Sequence, residues 1–361
     1  MDTPKITWEW GTAYDLFASL HVLHEPDSFG LRASWAAGVR SRLPSEEREL
    51  LEATKNLVFI PLHWIHDLPD PKDSTTALWA LAQIPREERL AALTCCPDMP
   101  SKSDDIFQTV AAKGSWDSQD LEALQAQYKA KYKEKGKSTK TKELTSILDL
   151  WAQPGEFGER YLNALRAYHQ AFFAEEEKRI TPALKTALNR AQELAERLSF
   201  EDLVEELSQG LRLEAEMKFK KMIFAPSYWI TPLVVWDRIA EDEGLFLFGA
   251  RPDDASLVPG EVVPDSLLRM LKALADPTRL KILRYLVEDS LTPAELARRL
   301  RLRAPTVTHH LKTLRLAGLV HITFEERGER LYASRLSAVS GMCESLYKYI
   351  GADVEAIVGE K

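Results

Sequence analysis

The sequence predicts a mainly α-helical protein with small β-sheet elements, divided into two domains. Three observations predict this fold class. Apolar residues recur at helical spacing through most of the chain before Leu211, apolar clusters broken by Pro and Gly follow, and the last segment alternates short helices with two strand-like runs. A chain of 361 residues with 45% hydrophobic residues can form a substantial core in each domain.

The first domain is predicted to begin with a short edge strand or packed arm, because Ile6, Trp8 and Trp10 alternate with polar residues. A series of helices follows, separated by breakers such as Pro26 and Pro44. The predicted helices cover residues 15–23, 31–43, 45–58, 75–82, 85–93, 104–112, 118–132, 144–151, 157–177 and 182–208.

A change in character at Leu211 predicts a small sheet at the end of the first domain. Apolar runs there are interrupted by Pro226 and Pro232, which indicates strands and a hairpin. Residues 252–264 contain three prolines and are typical of a linker. We therefore divide the chain into a mainly helical domain, a linker and a C-terminal domain. Their predicted bounds are residues 1–251, 252–264 and 265–361.

The C-terminal domain is predicted to contain two short helices joined by a tight turn. Thr292 at the N-cap, Pro293 at the first helical position and Glu295 at the third predict the start of one helix. A proline opens the other, residues 305–316, and Gly318 is placed to end it.

The second of these helices carries a distinct polar face. Val307, Leu311 and Leu314 recur at spacings of four and three and are expected to point inward. The residues expected to face outward are Thr306, Thr308, His309, Lys312 and Thr313. Short hydroxyls, an imidazole and an ammonium group suit a helix that lies in the major groove of double-stranded DNA. The pattern therefore predicts a recognition helix.

A two-stranded ribbon is predicted after the recognition helix. Apolar and polar residues alternate from Val320 to Phe324, and an Arg-Gly turn precedes a returning strand. This arrangement is a winged helix-turn-helix. The wing, residues 325–330, is expected to lie on the DNA backbone, with Arg327 and Arg330 as candidate phosphate or minor-groove contacts.

Three segments occur in linked order: LKALADPTRLKILRYL from Leu271, LTPAELARRL from Leu291 and APTVTHHLKTLRLAGLV from Ala304. Together they resemble the winged-helix repressors of the arsenical-resistance (ArsR/SmtB) type. The resemblance implies a homodimer that binds a near-palindromic operator and leaves it when an inducer binds. It also implies a dimer contact made by helices 265–274 and 336–356. The segments FAPSYWITP and LFLFGAR resemble the sensor-like region that precedes the winged helix in some larger members.

Two departures from the family pattern affect what the resemblance implies. A capping Ser and a base-reading Gln are common where Arg303 and Ala304 stand, so the operator sequence cannot be transferred from relatives. Metal-sensing members carry Cys-x-Cys at the positions of Thr292 and Ala294, or His and Asp ligands on the last helix, which here has a lone Cys343 and no His. The family pattern therefore implies no metal site and no cofactor.

Outside this pattern, two histidine pairs are candidate metal ligands. His21 and His24, like His63 and His66, are three residues apart, so on a helix each pair would share a face and two pairs could form one site. We favour histidines satisfied within the core, because spacing alone is weak support for a metal. The adjacent cysteines before Pro97 are likewise expected to be ordinary loop or core residues.

Charge supports DNA binding by the C-terminal domain. Residues 260–340 contain 14 Lys and Arg against 9 Asp and Glu, a net charge of +5, whereas the whole chain carries −8. No signal-peptide pattern or membrane-length apolar run is evident, and three cysteines do not make a disulfide framework. We therefore expect a cytoplasmic protein without a membrane partner.

These patterns predict a DNA-binding transcriptional regulator rather than an enzyme, and the resemblance suggests a repressor. No Gly-rich phosphate loop, Gly-x-Ser-x-Gly, His-Glu-x-x-His or dinucleotide-binding pattern occurs. All nine tryptophans precede the linker, which allows an apolar pocket for an unidentified small-molecule effector in the first domain. The alternatives are an enzyme, or a protein-interaction adaptor, that carries an accessory winged helix.

Overall fold

The computed structural model describes residues 3–31, 33–55, 57–96, 101–132, 141–212, 219–252, 255, 263–324 and 330–351, with residues 102 and 130–132 described by their backbone alone. We call residues 3–252 the N-terminal region and residues 263–351 the C-terminal region. The fold class is the predicted one, because a helical N-terminal part that ends in a short sheet precedes a winged helix-turn-helix. Most of the expected linker and the end of the last predicted helix lie outside the described residues.

Twelve α-helices are described in the N-terminal region. They are α1 (Thr12–His24), α2 (Ala33–Arg40), α3 (Ser45–Thr54), α4 (Leu62–His66), α5 (Ser74–Gln83), α6 (Arg89–Thr94), α7 (Lys102–Lys113), α8 (Ser118–Tyr132), α9 (Thr141–Ala152), α10 (Pro154–Tyr168), α11 (Ala174–Ala195) and α12 (Phe200–Leu207). None of the helices in the described part of the chain combines the length and hydropathy needed to cross a lipid bilayer.

The helix break predicted before Pro182 is absent. A π-helical turn, His169–Phe173, connects α10 to α11, and α11 continues through Pro182 to Ala195. Ile180 and Leu184 lie four residues apart on either side of this proline, and both are fully buried in the main core. Their burial on one helix face outweighs the hydrogen bond that proline cannot donate. The break occurs later, before α12, where the Ser199 side chain accepts a hydrogen bond from the Asp202 amide.

The sheet of the N-terminal region has the strand order β1-β3-β5-β4. Its strands are β1 (Lys5–Trp8), β3 (Lys221–Ser227), β4 (Val235–Ala240) and β5 (Glu243–Gly249). The first three in this order are parallel, while β4 and β5 form the predicted hairpin. The alternation at the N-terminus thus corresponds to the edge strand, and not to the packed arm that was its alternative.

Both faces of this sheet are buried, which explains the continuous apolar runs in β3 and β5. Successive side chains of a strand point to opposite faces. One face contributes to the main helical core and the other to a smaller core with residues of α11 and α12. The two sets are Ile223, Ala225, Leu245 and Leu247 on the first face, and Met222, Phe224, Phe246 and Phe248 on the second.

The C-terminal region has a separate core. Its elements are α13 (Asp265–Leu274), α14 (Pro277–Glu288), α15 (Pro293–Leu300), α16 (Ala304–Leu316), β6 (Val320–Phe324), β7 (Arg330–Ser334) and α17 (Leu336–Ile350). Leu296, Val307 and Leu314 are fully buried where α15 crosses α16. The antiparallel pair of β6 and β7 then closes one side of this core with Ile322 and Tyr332.

The strand β2 (Leu211–Arg212) joins the wing rather than the sheet of the N-terminal region. The sequence predicts it as part of the first-domain sheet, but Leu211 lies opposite Ile322 in a parallel pair with β6. The Ile322 amide donates to the Gly210 carbonyl oxygen at 2.8 Å, and the φ of Gly210 is 109°, in the region that favours glycine. A period-two pattern predicts a strand but not its partner, and β6 offers an edge that would otherwise be unpaired.

A buried carboxylate connects α1 to the loop that follows β3. Asp15 is 0% exposed and accepts hydrogen bonds from the Ser227 hydroxyl (2.7 Å), the Tyr228 amide (3.2 Å) and the Trp229 amide (2.9 Å). Burial raises the pKa of Asp15 to about 7, although the three hydrogen bonds favour the ionised form. Asp15 therefore positions a loop that borders the C-terminal region.

Replacing Asp15 with Asn is expected to flatten the pH dependence of stability. Between pH 3.8 and about 7 the folded chain holds a proton at Asp15 that the unfolded chain releases, so Asp15 makes the unfolding free energy fall as pH rises through this window. Urea unfolding across the window measures the slope. Asp105→Asn, which changes an exposed carboxylate, is the control. An unchanged slope in the Asp15 variant would contradict the prediction.

Candidate nucleic-acid interface

The helix-turn-helix is assembled by local hydrogen bonds. The Thr292 hydroxyl accepts from the Glu295 amide (3.2 Å), and the Glu295 carboxylate accepts from the Thr292 amide (2.8 Å), so α15 begins with the predicted capping box. The turn uses Arg301, whose φ of 54° is left-handed. Arg303 precedes α16 without a side-chain cap, as its departure from the family pattern predicts.

Helix α16, the predicted recognition helix, presents one apolar and one polar face. Val307, Leu311 and Leu314 are buried, whereas four of the five predicted contact residues are exposed and Thr313 is half-buried. The Thr308 hydroxyl donates to the Ala304 carbonyl oxygen at 3.0 Å. Because the Thr308 hydroxyl uses its hydrogen in this bond, the lone pairs of the hydroxyl oxygen remain available. The hydroxyl can therefore accept a hydrogen bond from a base edge.

The two adjacent histidines of α16 lie in different environments. His309 is exposed on the polar face, whereas His310 points toward α14, with its Nδ1 4.0 Å from a carboxylate oxygen of Asp276. Burial lowers the pKa of His310, which keeps its imidazole neutral at physiological pH. Of the two, only His309 therefore lies on the exposed polar face of α16.

The wing is described only in part. Arg330 is exposed, and its guanidinium lies 5.3 Å from the centre of the Phe324 ring, which supports it at the base of the wing. Arg327 lies outside the described residues.

Sequence reasoning missed a contact between the N-terminal region and α16. Lys312 donates to the Ser28 hydroxyl at 3.4 Å, and Ser28 belongs to the 3-10 turn Pro26–Phe29 that follows α1. The pKa of Glu25 is lowered, first by its hydrogen bond with Lys55 and in smaller part by the charge of Lys312. No sequence motif marks this turn.

A second contact joins α16 to the end of α12. Arg315 donates to the carbonyl oxygens of Gln209 (2.7 Å) and Ser208 (2.8 Å), close to the C-terminal end of that helix. A guanidinium is favourable there because the last carbonyls of a helix have no partners within it and carry partial negative charge. Burial lowers the pKa of Arg315 to about 10, so the side chain stays charged at neutral pH. These two hydrogen bonds and the pairing of β2 with β6 connect the two regions. We call this contact the α12–wing joint.

The four candidate metal-ligating histidines have separate local partners. His24 Nδ1 lies 2.8 Å from the Leu20 carbonyl oxygen, and His66 Nδ1 lies 2.8 Å from Glu9. His21 and His63 lie near backbone carbonyl oxygens. Across the described residues, no group of three or more His, Cys, Asp or Glu side chains could hold a metal ion. The structure therefore does not bring the two pairs together as one metal site.

Cys95 and Cys343 are free thiols. Burial raises the pKa of the Cys95 thiol to about 11, which makes it a poor thiolate at neutral pH. Cys343 is exposed on α17.

The helix pair assigned to dimerisation by resemblance has exposed apolar residues. On α17, Leu336 is 59% and Ile350 62% exposed. Val354, which belongs to the predicted helix 336–356, lies outside the described residues.

The capped helix, the turn, the recognition helix and the wing define the C-terminal region as a winged helix-turn-helix, a class of DNA-binding module. Residues 274–323 match a family model described as a helix-turn-helix domain. The region is similar to the HTH-type transcriptional regulator CmtR of Mycobacterium tuberculosis and of Mycobacterium bovis, with 43% identity over 70 residues, 19% of this chain and 59% of each relative. These findings confirm its resemblance to arsenical-resistance-type regulators.

A second similar protein is the probable mercury resistance operon repressor of Streptomyces lividans. It is 40% identical over 57 residues, which are 16% of this chain and 46% of that repressor. The chain thus spans about half the length of the curated relatives that it matches. The matches of 70 and 57 residues lie in the C-terminal region, so they do not cover the N-terminal region.

Proposed function

We propose that the chain is a transcriptional regulator, a repressor by analogy, that binds double-stranded DNA through α16 and is controlled by its N-terminal region. The single observation that carries the proposal is the exposed polar face of α16, backed by a fully buried apolar face within a winged helix. Thr306, Thr308 and His309 would read base edges. Lys312, Thr313, Arg327 and Arg330 would contact bases or phosphates.

We propose further that the protein acts as a homodimer on a near-palindromic operator. Exposed Leu336 and Ile350 on α17 supply apolar surface that a second copy would cover. Two recognition helices would then meet successive major-groove turns, about 34 Å apart.

The N-terminal region is proposed to sense a signal rather than to catalyse a reaction. It contacts the C-terminal half of α16 at two points. Ser28 accepts a hydrogen bond from Lys312, and the α12–wing joint holds Arg315. A signal that favours one arrangement of these contacts would change the access of Lys312 to DNA. Such control requires different affinities of the signal for the two arrangements.

The test is fluorescence anisotropy of the full-length protein on labelled DNA from upstream of its own gene, with a shuffled duplex as the control. We expect a marked preference for the native duplex. We also expect each phosphate contact to add about −0.9 to the slope of log affinity against log salt concentration. If the native duplex is not preferred, selection from a random duplex library follows. Failure to enrich any sequence would overturn the proposal.

A further inference from the structure

A cavity of about 850 Å³ lies between the two regions, away from the polar face of α16. Helix α11 and the end of β5 line one side, and α13 and α17 line the other. Its volume falls in the range of small-molecule sites, about 300–1,000 Å³. Ala183, Ala187, Met270 and Met342 provide apolar wall. The cavity can therefore hold the apolar body of an organic molecule.

The charged lining of the cavity is predominantly basic. Five arginines line it, against the three acidic residues Glu206, Asp265 and Glu344. The arginines are Arg179, Arg190, Arg251, Arg269 and Arg335. A concave surface with low-dielectric walls and an excess of one charge concentrates the opposite charge.

Arg251 is the unusual member of this set. Its residue is only 7% exposed, and Nη2 donates to the Thr231 carbonyl oxygen at 2.5 Å. Within the described part of the chain, its buried Nη1 has no hydrogen-bond partner and no carboxylate forms an ion pair with it. Burial and the charge of Arg269 lower its pKa to about 10, so the guanidinium is still charged at neutral pH. The charge of Asp265 favours the charged guanidinium, but a buried charge is costly where no carboxylate is in direct contact with it, and a bound anion would lower that cost.

The guanidinium groups of Arg251 and Arg179 both lie near the ring of Tyr228. The guanidinium carbons of Arg179 and Arg251 lie 4.8 and 5.8 Å from its centre, and Arg179 donates to the Tyr228 hydroxyl at 3.0 Å. The loop that carries Tyr228 is held by Asp15. The two arginines are thus positioned by the fold before any ligand binds, which lowers the entropic cost of binding.

We propose that this cavity is the effector site of the regulator and that its ligand is an organic anion, a carboxylate or a phosphate ester, held by Arg251. The inference rests on the proposed regulatory function and specifies the chemistry of its signal. The guanidinium of Arg251 would donate to the anionic group, while the apolar body would lie along α11 and α17.

Occupancy of the cavity connects to DNA binding through α13 and α17. Both helices line the cavity, and the resemblance assigns the dimer contact to both. A ligand between α11 and this helix pair favours the arrangement with the wider or better-matched cavity. The relative position of two recognition helices would change with it.

The test is calorimetric titration of the full-length protein, without DNA, using benzoate, phenyl phosphate and inorganic phosphate, with benzyl alcohol as the uncharged control. We expect saturable binding of at least one organic anion and none of benzyl alcohol. Benzoate and phenyl phosphate distinguish a carboxylate from a phosphate ester. If the protein binds inorganic phosphate more tightly than benzoate and phenyl phosphate, the proposal of an organic ligand is overturned.

Arg251→Met, which retains an apolar stem, is expected to weaken binding roughly tenfold to a hundredfold. Arg190→Met changes an arginine with a side chain 69% exposed at the same cavity, and should have a much smaller effect. Gly341→Phe is a second variant that alters no arginine. Outside the neighbouring backbone of α17, a Cβ at Gly341 would meet no atom within 4 Å, so there is room for an added ring at the cavity wall, where it would block the ligand. If Arg251→Met and Gly341→Phe both bind the anion as tightly as the parent does, the proposed site is overturned.

Anisotropy on the selected operator then tests the regulatory role. A shift in DNA affinity on adding the bound anion, lost in Arg251→Met, supports the proposal. Binding of the anion without any shift would overturn the effector role. If the anion binds through Arg251 while no duplex is preferred, the DNA-binding function fails and the anion site stands.

Discussion

Simultaneous replacement of Thr308, His309 and Lys312 with alanine is expected to lower operator affinity about 100-fold or more. Each good base contact contributes about 1–3 kcal/mol, and a dimer would present the altered face twice. All three residues are exposed, and none contributes to the apolar core beneath α16. Alanine is also the best helix former, so the helix should be retained. Anisotropy on the selected operator measures the affinity, and circular dichroism verifies the fold.

The matched control is alanine at Gln119, Glu122 and Lys129, three exposed polar residues on α8. This variant should bind the operator as the parent does. Lys312→Ala alone should also make the slope of log affinity against log salt concentration shallower. The change should correspond to the loss of about one phosphate contact in each protomer. Unchanged affinity in the α16 triple variant would show that DNA is not bound through this face. The adaptor hypothesis would then gain support.

The polar face of α16 could be predicted from the sequence because it depends on interactions between residues that are close together in the chain. The capping box, the inward spacing of Val307 and Leu311, and the glycine after α16 each depend on residues within a few positions of one another. Such patterns can be recognised in sequence because the same local bonds form in any context. The exposure of Thr308 and His309 then follows from the burial of their neighbours.

The cavity between the two regions could not be predicted in this way. Arg179, Arg251 and Arg335 are separated widely in sequence, and only the packing of the two regions brings them together. A lone arginine in a sequence is most simply interpreted as a solvated side chain. The burial of Arg251 depends on the loop at Thr231, which a local pattern does not reveal.

Helix α11 shows the opposite case, in which packing in the core overrides the local signal of a proline. Proline predicts a break, yet Ile180 and Leu184 are buried on both sides of Pro182 and the helix continues. Propensity is a weak prior where an amphipathic face is packed. The histidine pairs likewise satisfied a spacing rule, although each ring lies near a partner of its own in the fold.

The α12–wing joint has a direct bearing on how a signal reaches α16. Arg315 lies one residue after the core residue Leu314, and it meets α12 of the other region. Glu206 of α12 lies 3.7 Å from Arg335, which precedes α17 and lines the cavity. A ligand beside Arg335 would therefore act on the joint and on α17 together.

Arg315→Met is expected to loosen this joint and to lower the unfolding free energy by roughly 2–3 kcal/mol. The variant leaves the carbonyl oxygens of Ser208 and Gln209 without their donor, and an unsatisfied buried acceptor costs about 1–3 kcal/mol. Because the Ile322 amide bonds to Gly210 in the same joint, it should exchange hydrogen faster. Hydrogen exchange with mass spectrometry measures this amide in the parent and the variant.

Arg212→Met is the control, because it removes a half-exposed guanidinium from the same joint. Its ion pair with Glu205 is open to solvent, and such pairs contribute about 0–1 kcal/mol. Ile322 should therefore remain protected in this variant. If Arg315→Met also leaves Ile322 protected, the strand pair of β2 and β6 holds the joint by itself. If exchange is faster and the anion no longer shifts DNA affinity while still binding at Arg251, the signal passes through Arg315.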